Sequence, residues 1–261
     1  MLAIRSLIFN ALFYLTLVVL MIVGLPTMLL GRKAVFALAR LWGGISVWLL
    51  NAICGLKLEY RGLENIPPGA VLIAAKHQSF LETFALIKYA PDFAIILKRQ
   101  LTYVPLFGLY LIVSQQIAID RGRGRQALLQ IAGAARPVFA AGRQVFIYPE
   151  GTRRAPGAPP KYKQGVAALY AETGVACLPV ALNTGLFWRR HGFLRRPGVA
   201  VIEYLPVIAP GLDREAFSRR LESIIETACD RLNAEALARD PSLASALAEG
   251  ANSDVEAPRP A

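Results

Sequence analysis

The sequence predicts an α/β protein: a mixed, largely parallel sheet flanked by helices, preceded by an N-terminal pair of membrane-associated helices. Three observations lead there. The 26 residues between Arg5 and Arg32 carry no charge. After Tyr60 the text changes to short β-rich runs that alternate with helical ones, the pattern of helices packed on a sheet. The chain has 261 residues, of which 55% are hydrophobic and 18% charged. That length suits one domain with an appendage, and that charge fraction argues against a disordered or entirely soluble chain.

The N-terminal run includes LIFNALFYLTLVVLMIVGLP (residues 7–26). At about 1.5 Å per residue the uncharged stretch reaches roughly 39 Å as a helix, more than the ~30 Å of a bilayer core. Gly24 and Pro26 predict a break near its end. A second apolar stretch between Arg40 and Lys57 has 16 uncharged residues, or roughly 24 Å of helix, which is short for a span. Trp42 and Trp48 suit an interface, and Arg32, Lys33 and Arg40 favour keeping that side in the cytoplasm. The length of the apolar region and the lack of a small-residue cleavage site argue against a cleaved signal peptide. The expectation is one span or a hairpin dipping into the cytoplasmic leaflet of the inner membrane, with the remaining domain facing the cytoplasm.

Period-two and apolar runs predict strands at 70–75, 93–97, 116–120, 144–148, 177–182 and 199–205. Helices are expected at 80–89, 125–140 and 164–172. Residues 213–239 read as an amphipathic helix with Phe217, Leu221, Ile224 or Ile225, and Leu232 along its apolar stripe. From Asp240 the chain is Ala, Ser, Pro and acidic, and is expected to be unstructured. The organisation is thus 1–58 as membrane-anchoring helices, 59–239 as the functional domain and 240–261 as a disordered tail.

The net charge of +11 is unevenly spread. From Leu212 on, six Lys/Arg face ten Asp/Glu, whereas 23 face eight before it. The basic portion would attract anionic lipid, nucleic acid or a phosphorylated substrate. Nucleic acid is disfavoured because the basic groups lack interleaved aromatic stacking residues. Arg121-Gly-Arg-Gly-Arg125 lacks the third glycine of a dinucleotide loop, and no Walker A sequence is present. Cys54, Cys177 and Cys229 lie far apart and have neither metal-ligand nor disulfide spacing.

Two segments hold the candidate chemistry. His77 follows a strand in Lys76-His-Gln-Ser-Phe-Leu-Glu82. If the helix begins after Ser79, Glu82 lies in its first turn and can hold one imidazole nitrogen while the other accepts a proton. Ser79-Phe-Leu-Glu82 equally matches a capping box, in which Ser and Glu satisfy backbone amides and do no chemistry. In Tyr148-Pro-Glu-Gly-Thr-Arg-Arg154, Gly151 permits close backbone approach, while Thr152, Arg153 and backbone amides can surround an anion. The alternative there is an ordinary turn with solvated arginines. Lys98 and Arg121 also follow strands, and their repeated placement points to a shared anionic pocket. His191, in Arg189-Arg-His-Gly-Phe-Leu-Arg-Arg196, reads as part of a solvated basic loop.

These segments resemble the ordered blocks of the glycerolipid acyltransferases. His77-Gln-Ser-Phe-Leu-Glu82 is similar to their His-x4-Asp motif and residues 117–121 to their second block. Tyr148–Arg154 resembles the Glu-Gly-Thr-Arg block and Leu178-Pro-Val-Ala-Leu-Asn183 the apolar fourth. The resemblance covers roughly residues 60–210 and is nearest to bacterial members that acylate 1-acyl-glycerol-3-phosphate. Glu82 stands where those proteins usually have Asp; the charge is retained and the reach is longer.

The resemblance implies acyl transfer from acyl-CoA or acyl-carrier protein to the 2-hydroxyl of lysophosphatidate, forming phosphatidic acid in membrane lipid. His77 would act as base and Glu82 would orient it. Arg153 with Glu150, Gly151 and Thr152 would bind the phosphate or shape its pocket, with Arg121 and Lys98 assisting. A carboxylate facing phosphate would repel it, so Glu150 is expected to position basic groups or backbone. No metal and no tightly bound cofactor is implied. Another lysolipid acceptor, such as a lyso-ornithine lipid, and a non-catalytic module binding anionic lipid remain as alternatives.

Overall fold

A computed structural model of the chain describes residues 1–120 and 125–252. Helix α1 spans Leu2–Val23 and gives way at Gly24 to a 3-10 turn, Leu25–Met28, where the glycine and proline predict a break. Helix α2, Arg32–Leu49, runs on through a π-turn at Leu50–Cys54. The helical stretches Leu2–Val23 and Arg32–Cys54 are both long and apolar enough to cross a membrane. The second exceeds its expected length because the helix begins at Arg32 and carries Lys33 and Arg40 within it.

The strands are β1 (Leu56–Arg61), β2 (Leu72–Ala75), β3 (Phe93–Lys98), β4 (Ile117–Ile119), β5 (Gln144–Ile147), β6 (Cys177–Leu182) and β7 (Gly198–Tyr204). They form one sheet in the order β1-β7-β6-β2-β5-β3-β4. Every neighbouring pair is parallel except β6 with β7. Between the strands lie α3 (Leu81–Ala85, continued as a 3-10 turn to Tyr89), α4 (Phe107–Val113), α5 (Arg125–Ala140) and α6 (Gln164–Thr173). Helix α7 (Arg214–Arg239) follows the sheet. The six expected strands and four expected helices are present with small shifts at their ends, while β1 and α4 were not expected.

Strand side chains alternate between two cores, as the pleat requires. Ile73, Phe146, Leu178, Val180, Leu182 and Ile202 meet Phe9 and Phe13 of α1, Phe36 and Leu49 of α2, and Leu81 and Phe84 of α3. Leu72, Ala74, Val145, Ile147 and Val201 meet Ile131 and Ala135 of α5, Val166 and Tyr170 of α6, and Phe217, Leu221 and Ile225 of α7. The sheet is therefore sandwiched between two helical layers, and α1 and α2 belong to one of them. The change of composition near residue 58 does not separate the N-terminal helices from the packing of the domain. Helix α1 buries only Ser6, Phe9 and Phe13; most of its other apolar side chains are exposed.

The expectation of unstructured chain from Asp240 is corrected by the structure as far as Asn252, and residues 253–261 lie outside the described residues. Pro241–Leu243 form a 3-10 turn and Ala244–Asn252 form α8, with Leu243 and Ala246 buried. Asp240 caps the turn by accepting from the Ser242 amide. The packing side chains are small, so the composition resembles that of a solvated tail.

Candidate active site

The parallel strands β2, β5, β3 and β4 end on one edge of the sheet, where crevices form in α/β folds. His77 follows β2 and lies in the loop, one turn ahead of α3. Its Nδ1 is 2.8 Å from Glu82 Oε1. The same oxygen accepts the amides of Gln78 at 2.7 Å and Ser79 at 2.6 Å. The other carboxylate oxygen accepts the Thr184 hydroxyl at 2.7 Å. Glu82 is fully buried, and four donors meet its charge. With Nδ1–H donated to Glu82, the neutral ring carries its lone pair on Nε2.

Both sequence readings of Ser79-Phe-Leu-Glu82 meet in this arrangement. Glu82 reaches back to the Ser79 amide as in a capping box, while Ser79 Oγ accepts from Leu81 and not from Glu82. One carboxylate thus closes the helix end and holds the imidazole.

Strand β5 brings the second segment alongside. The Tyr148 ring stacks on His77 with centroids 3.9 Å apart and planes 18° from parallel. Burial and the Glu82 charge raise the pKa of the Tyr148 phenol, keeping it neutral. Gly151 turns the chain with φ +65°, a left-handed conformation that favours glycine. The Arg154 amide donates to the His77 carbonyl at 2.8 Å, linking the two segments through backbone. Thr152 is exposed and Arg153 half-buried. The Arg153 side chain makes no ion pair among the described residues, and its carbonyl accepts from Arg190 at 3.0 Å.

Glu150 is buried and meets basic groups and backbone. Its carboxylate lies 3.3 Å from Lys76 Nζ and 3.6 Å from Arg154 Nε, and accepts the Lys161 amide at 3.3 Å. Lys76 also pairs with Glu226 of α7 at 2.7 Å, and Glu226 accepts the Tyr162 hydroxyl at 2.8 Å. Burial raises the pKa of Glu150, and Lys76 opposes that shift. Lys76 itself is 3% exposed; burial lowers its pKa, but the two carboxylates outweigh burial and leave it raised. The Lys76 charge is thereby kept where an isolated ammonium would be expelled.

The structure brings together His77, Glu82 and the Tyr148–Arg154 turn. Lys98 ends β3 and is exposed; no hydrogen bond or ion pair joins it to these residues among the described residues. Arg121 lies outside the described residues. Four participants have no role in the sequence reading: Thr184 and Gln78, which join the turn after β6 to the His77 loop, and Lys76 and Glu226 behind it. Gln78 Oε1 accepts the Gly185 amide at 3.1 Å. A lysine at the end of an apolar strand is the one signal that could have pointed to a buried pair. Among the described residues no three His, Cys, Asp or Glu side chains come together to hold a metal ion.

Residues 57–183 match the family model described as Acyltransferase. The chain is similar to a 1-acyl-sn-glycerol-3-phosphate acyltransferase of Pseudomonas aeruginosa, 38% identical over 174 residues, or 67% of this chain and 66% of that one. It is similar to a chloroplastic protein of the same description from Arabidopsis thaliana, 30% identical over 220 residues, 80% of this chain and 60% of that one. It therefore spans less than two thirds of the length of these relatives, 66% of one and 60% of the other. The fold is that of the crystal structure of the 1-acyl-sn-glycerophosphate acyltransferase PlsC from Thermotoga maritima. The TM-score is 0.74 at 22% identity, covering 90% of this chain and 98% of that one. With the matched residues 57–183 carrying both the His77–Glu82 pair and the Glu150-Gly151-Thr152-Arg153 turn, the chain belongs to the acyltransferase family.

Proposed function

We propose that the protein transfers a fatty acyl group from acyl-CoA or acyl-carrier protein to the 2-hydroxyl of 1-acyl-glycerol-3-phosphate, forming phosphatidate. The observation that carries this reading is the imidazole of His77, held on Nδ1 by a buried carboxylate and stacked on Tyr148 beside a basic turn. His77 Nε2 takes the proton of the 2-hydroxyl as its oxygen attacks the thioester carbonyl carbon. The tetrahedral intermediate collapses, the C–S bond breaks, and the leaving thiolate recovers the proton from the imidazolium. Glu82 stabilises that imidazolium and fixes the ring. The transfer is direct, with no acyl-enzyme. General-base catalysis contributes about 10²–10⁴-fold, and positioning of the two substrates supplies much of the rest.

Arg153, Thr152 and the amides around Gly151 bind the phosphate, assisted by Arg121 and Lys98. Glu150 supports the turn from behind. The apolar faces of α1 and α2 hold the domain on the cytoplasmic side of the inner membrane, so that the acceptor's acyl chain stays in lipid. The names of the relatives support lysophosphatidate as acceptor, because both are described by that reaction.

The test is transfer by detergent-purified protein with lysophosphatidate and either donor, followed by thiol release and lipid product. Phosphatidate formed by wild type and lost in folded His77→Ala supports the acceptor and the base. Folded wild-type protein that forms none with either donor rejects the acceptor, and a lysolipid panel then tests the chemistry.

A further inference from the structure

We propose that the loop at residues 189–196 is a second membrane contact, which sets Phe193 and Leu194 into an anionic bilayer surface beside α1. The proposal rests on the reading of the chain as a membrane-bound acyltransferase and adds a part to it. The loop reads Arg-Arg-His-Gly-Phe-Leu-Arg-Arg, an apolar pair between arginine pairs. Phe193 is 49% exposed and Leu194 40%.

The tip is held in place. Arg195 is buried, and its Nη1 donates to the carbonyls of Gly192, Phe193 and Leu194 at 2.8, 2.9 and 3.3 Å. The chain thus wraps around one guanidinium and turns the Phe193 and Leu194 side chains outward. The guanidinium lies 3.9 Å from the Trp188 ring centroid and has no carboxylate partner among the described residues. Burial lowers its pKa to about 10, which leaves it charged at neutral pH.

Three hydrogen bonds fasten the loop to α1. Arg195 Nη2 donates to Asn10 Oδ1 at 2.8 Å, the Arg195 amide to Ser6 Oγ at 2.9 Å, and Asn10 Nδ2 to the Phe193 carbonyl at 3.4 Å. Leu7 and Tyr14 lie three residues before and four after Asn10, hence on its face of the helix. They are 58% and 61% exposed. The exposed apolar face of α1 therefore continues onto the loop. Arg190 on the other side is exposed and reaches the Arg153 carbonyl, so the loop bridges the helix and the site turn. Residues 189–196 contain no acid, and Arg190 and Arg196 flank the apolar tip as cations flank a membrane-inserting segment.

The native cysteines are all buried, so Phe193→Cys offers one accessible thiol for a polarity-sensitive fluorophore. The labelled protein is reconstituted into vesicles of equal parts phosphatidylglycerol and phosphatidylcholine. The expected result is a blue-shifted emission, quenched about twofold or more by a nitroxide on the upper acyl chain, as for a side chain below the headgroups. The same fluorophore at exposed Arg220→Cys on α7 stays water-like and unquenched. Equal, water-like emission at the two positions overturns the contact. Quenching at 193 that is the same in pure phosphatidylcholine vesicles overturns the role given to anionic lipid. Acyl transfer is assayed on the same preparations. Transfer with a water-like fluorophore keeps the enzyme and rejects the contact, whereas a lipid-buried fluorophore without transfer keeps the contact and rejects the enzyme.

Discussion

Lys76 and His77 are neighbours in sequence and face opposite sides of the sheet. His77 lies on the α1–α3 side, partly open, with its ring held by a carboxylate that backbone amides and Thr184 also bind. Lys76 lies on the α7 side, closed from solvent between Glu150 and Glu226. The same strand end thus presents one group to react and another to hold the wall behind it. The difference teaches that motif residues divide by face: Glu150 shares a motif with Arg153, yet its contacts are with the buried cluster.

Four measurements would break or sharpen that division. The largest effect is expected at the open side, where His77→Ala should lower kcat about 10²–10⁴-fold with little change in Tm. A comparable fall in Tm would make His77 a packing residue.

Next is the closed side. Lys76→Met leaves Glu150 and Glu226 without their shared cation, and breaking a buried pair costs about 3–5 kcal/mol. The pH dependence has a definite sign. Burial already raises the Glu150 pKa, and loss of Lys76 raises it further. Below the unfolded value both states hold the proton and the deficit is smallest. As pH rises through the folded value, the buried carboxylate must ionise without its lysine and the deficit grows. The Tm difference between wild type and Lys76→Met should therefore narrow as the buffer is taken from pH 8 to pH 5. The double variant Lys76→Met/Glu226→Gln should recover part of it, and a difference that stays constant with pH would sink the account.

Thr184→Val removes one of the four donors to Glu82. A lost hydrogen bond to a charged group costs about 1.5–3 kcal/mol, and here kcat should fall with the melting temperature because the same carboxylate orients His77. Intact kcat at reduced Tm would show that the remaining three donors suffice. The smallest effect is expected on the solvent-exposed surface of α7. Glu215 and Arg219 form an exposed i,i+4 pair on α7, and Glu215→Ala should change stability by about 0.5 kcal/mol or less.

How much of this was legible follows from the kind of interaction. Strand β6 reads directly because Cys177–Leu182 is buried along its whole length. The His77–Glu82 pairing is local, five residues apart, so spacing alone could propose it. Strand β1 alternates Leu56, Leu58 and Tyr60 with Lys57, Glu59 and Arg61, a half-exposed edge pattern, but it follows so closely on the apolar helix that the change of period is masked. The partners Thr184 and Glu226 lie about a hundred and a hundred and fifty residues from the groups they bind. Nothing in a helix bearing alternating charges marks one carboxylate as the partner of a buried lysine. Helix α8 was missed for a different reason: its contacts rest on alanines and a leucine, which carry little signal beside their Ser, Pro and acidic neighbours.

The pairing of β1 with β7 has a consequence for biogenesis. Leu56 is registered with Gly198, so the first strand made must wait for the last. With synthesis at ~5–20 residues per second, about 140 residues of delay amount to roughly 7–30 s. During that interval the two apolar helices have left the ribosome while β6 and β7, against which their layer packs, are still incomplete. A bilayer engaged early would shelter those helices from aggregation. Closing the sheet would then bury Phe9 and Phe13 in the protein while the exposed face of α1 stays in lipid, so the last step of folding would also divide the helix between protein and bilayer.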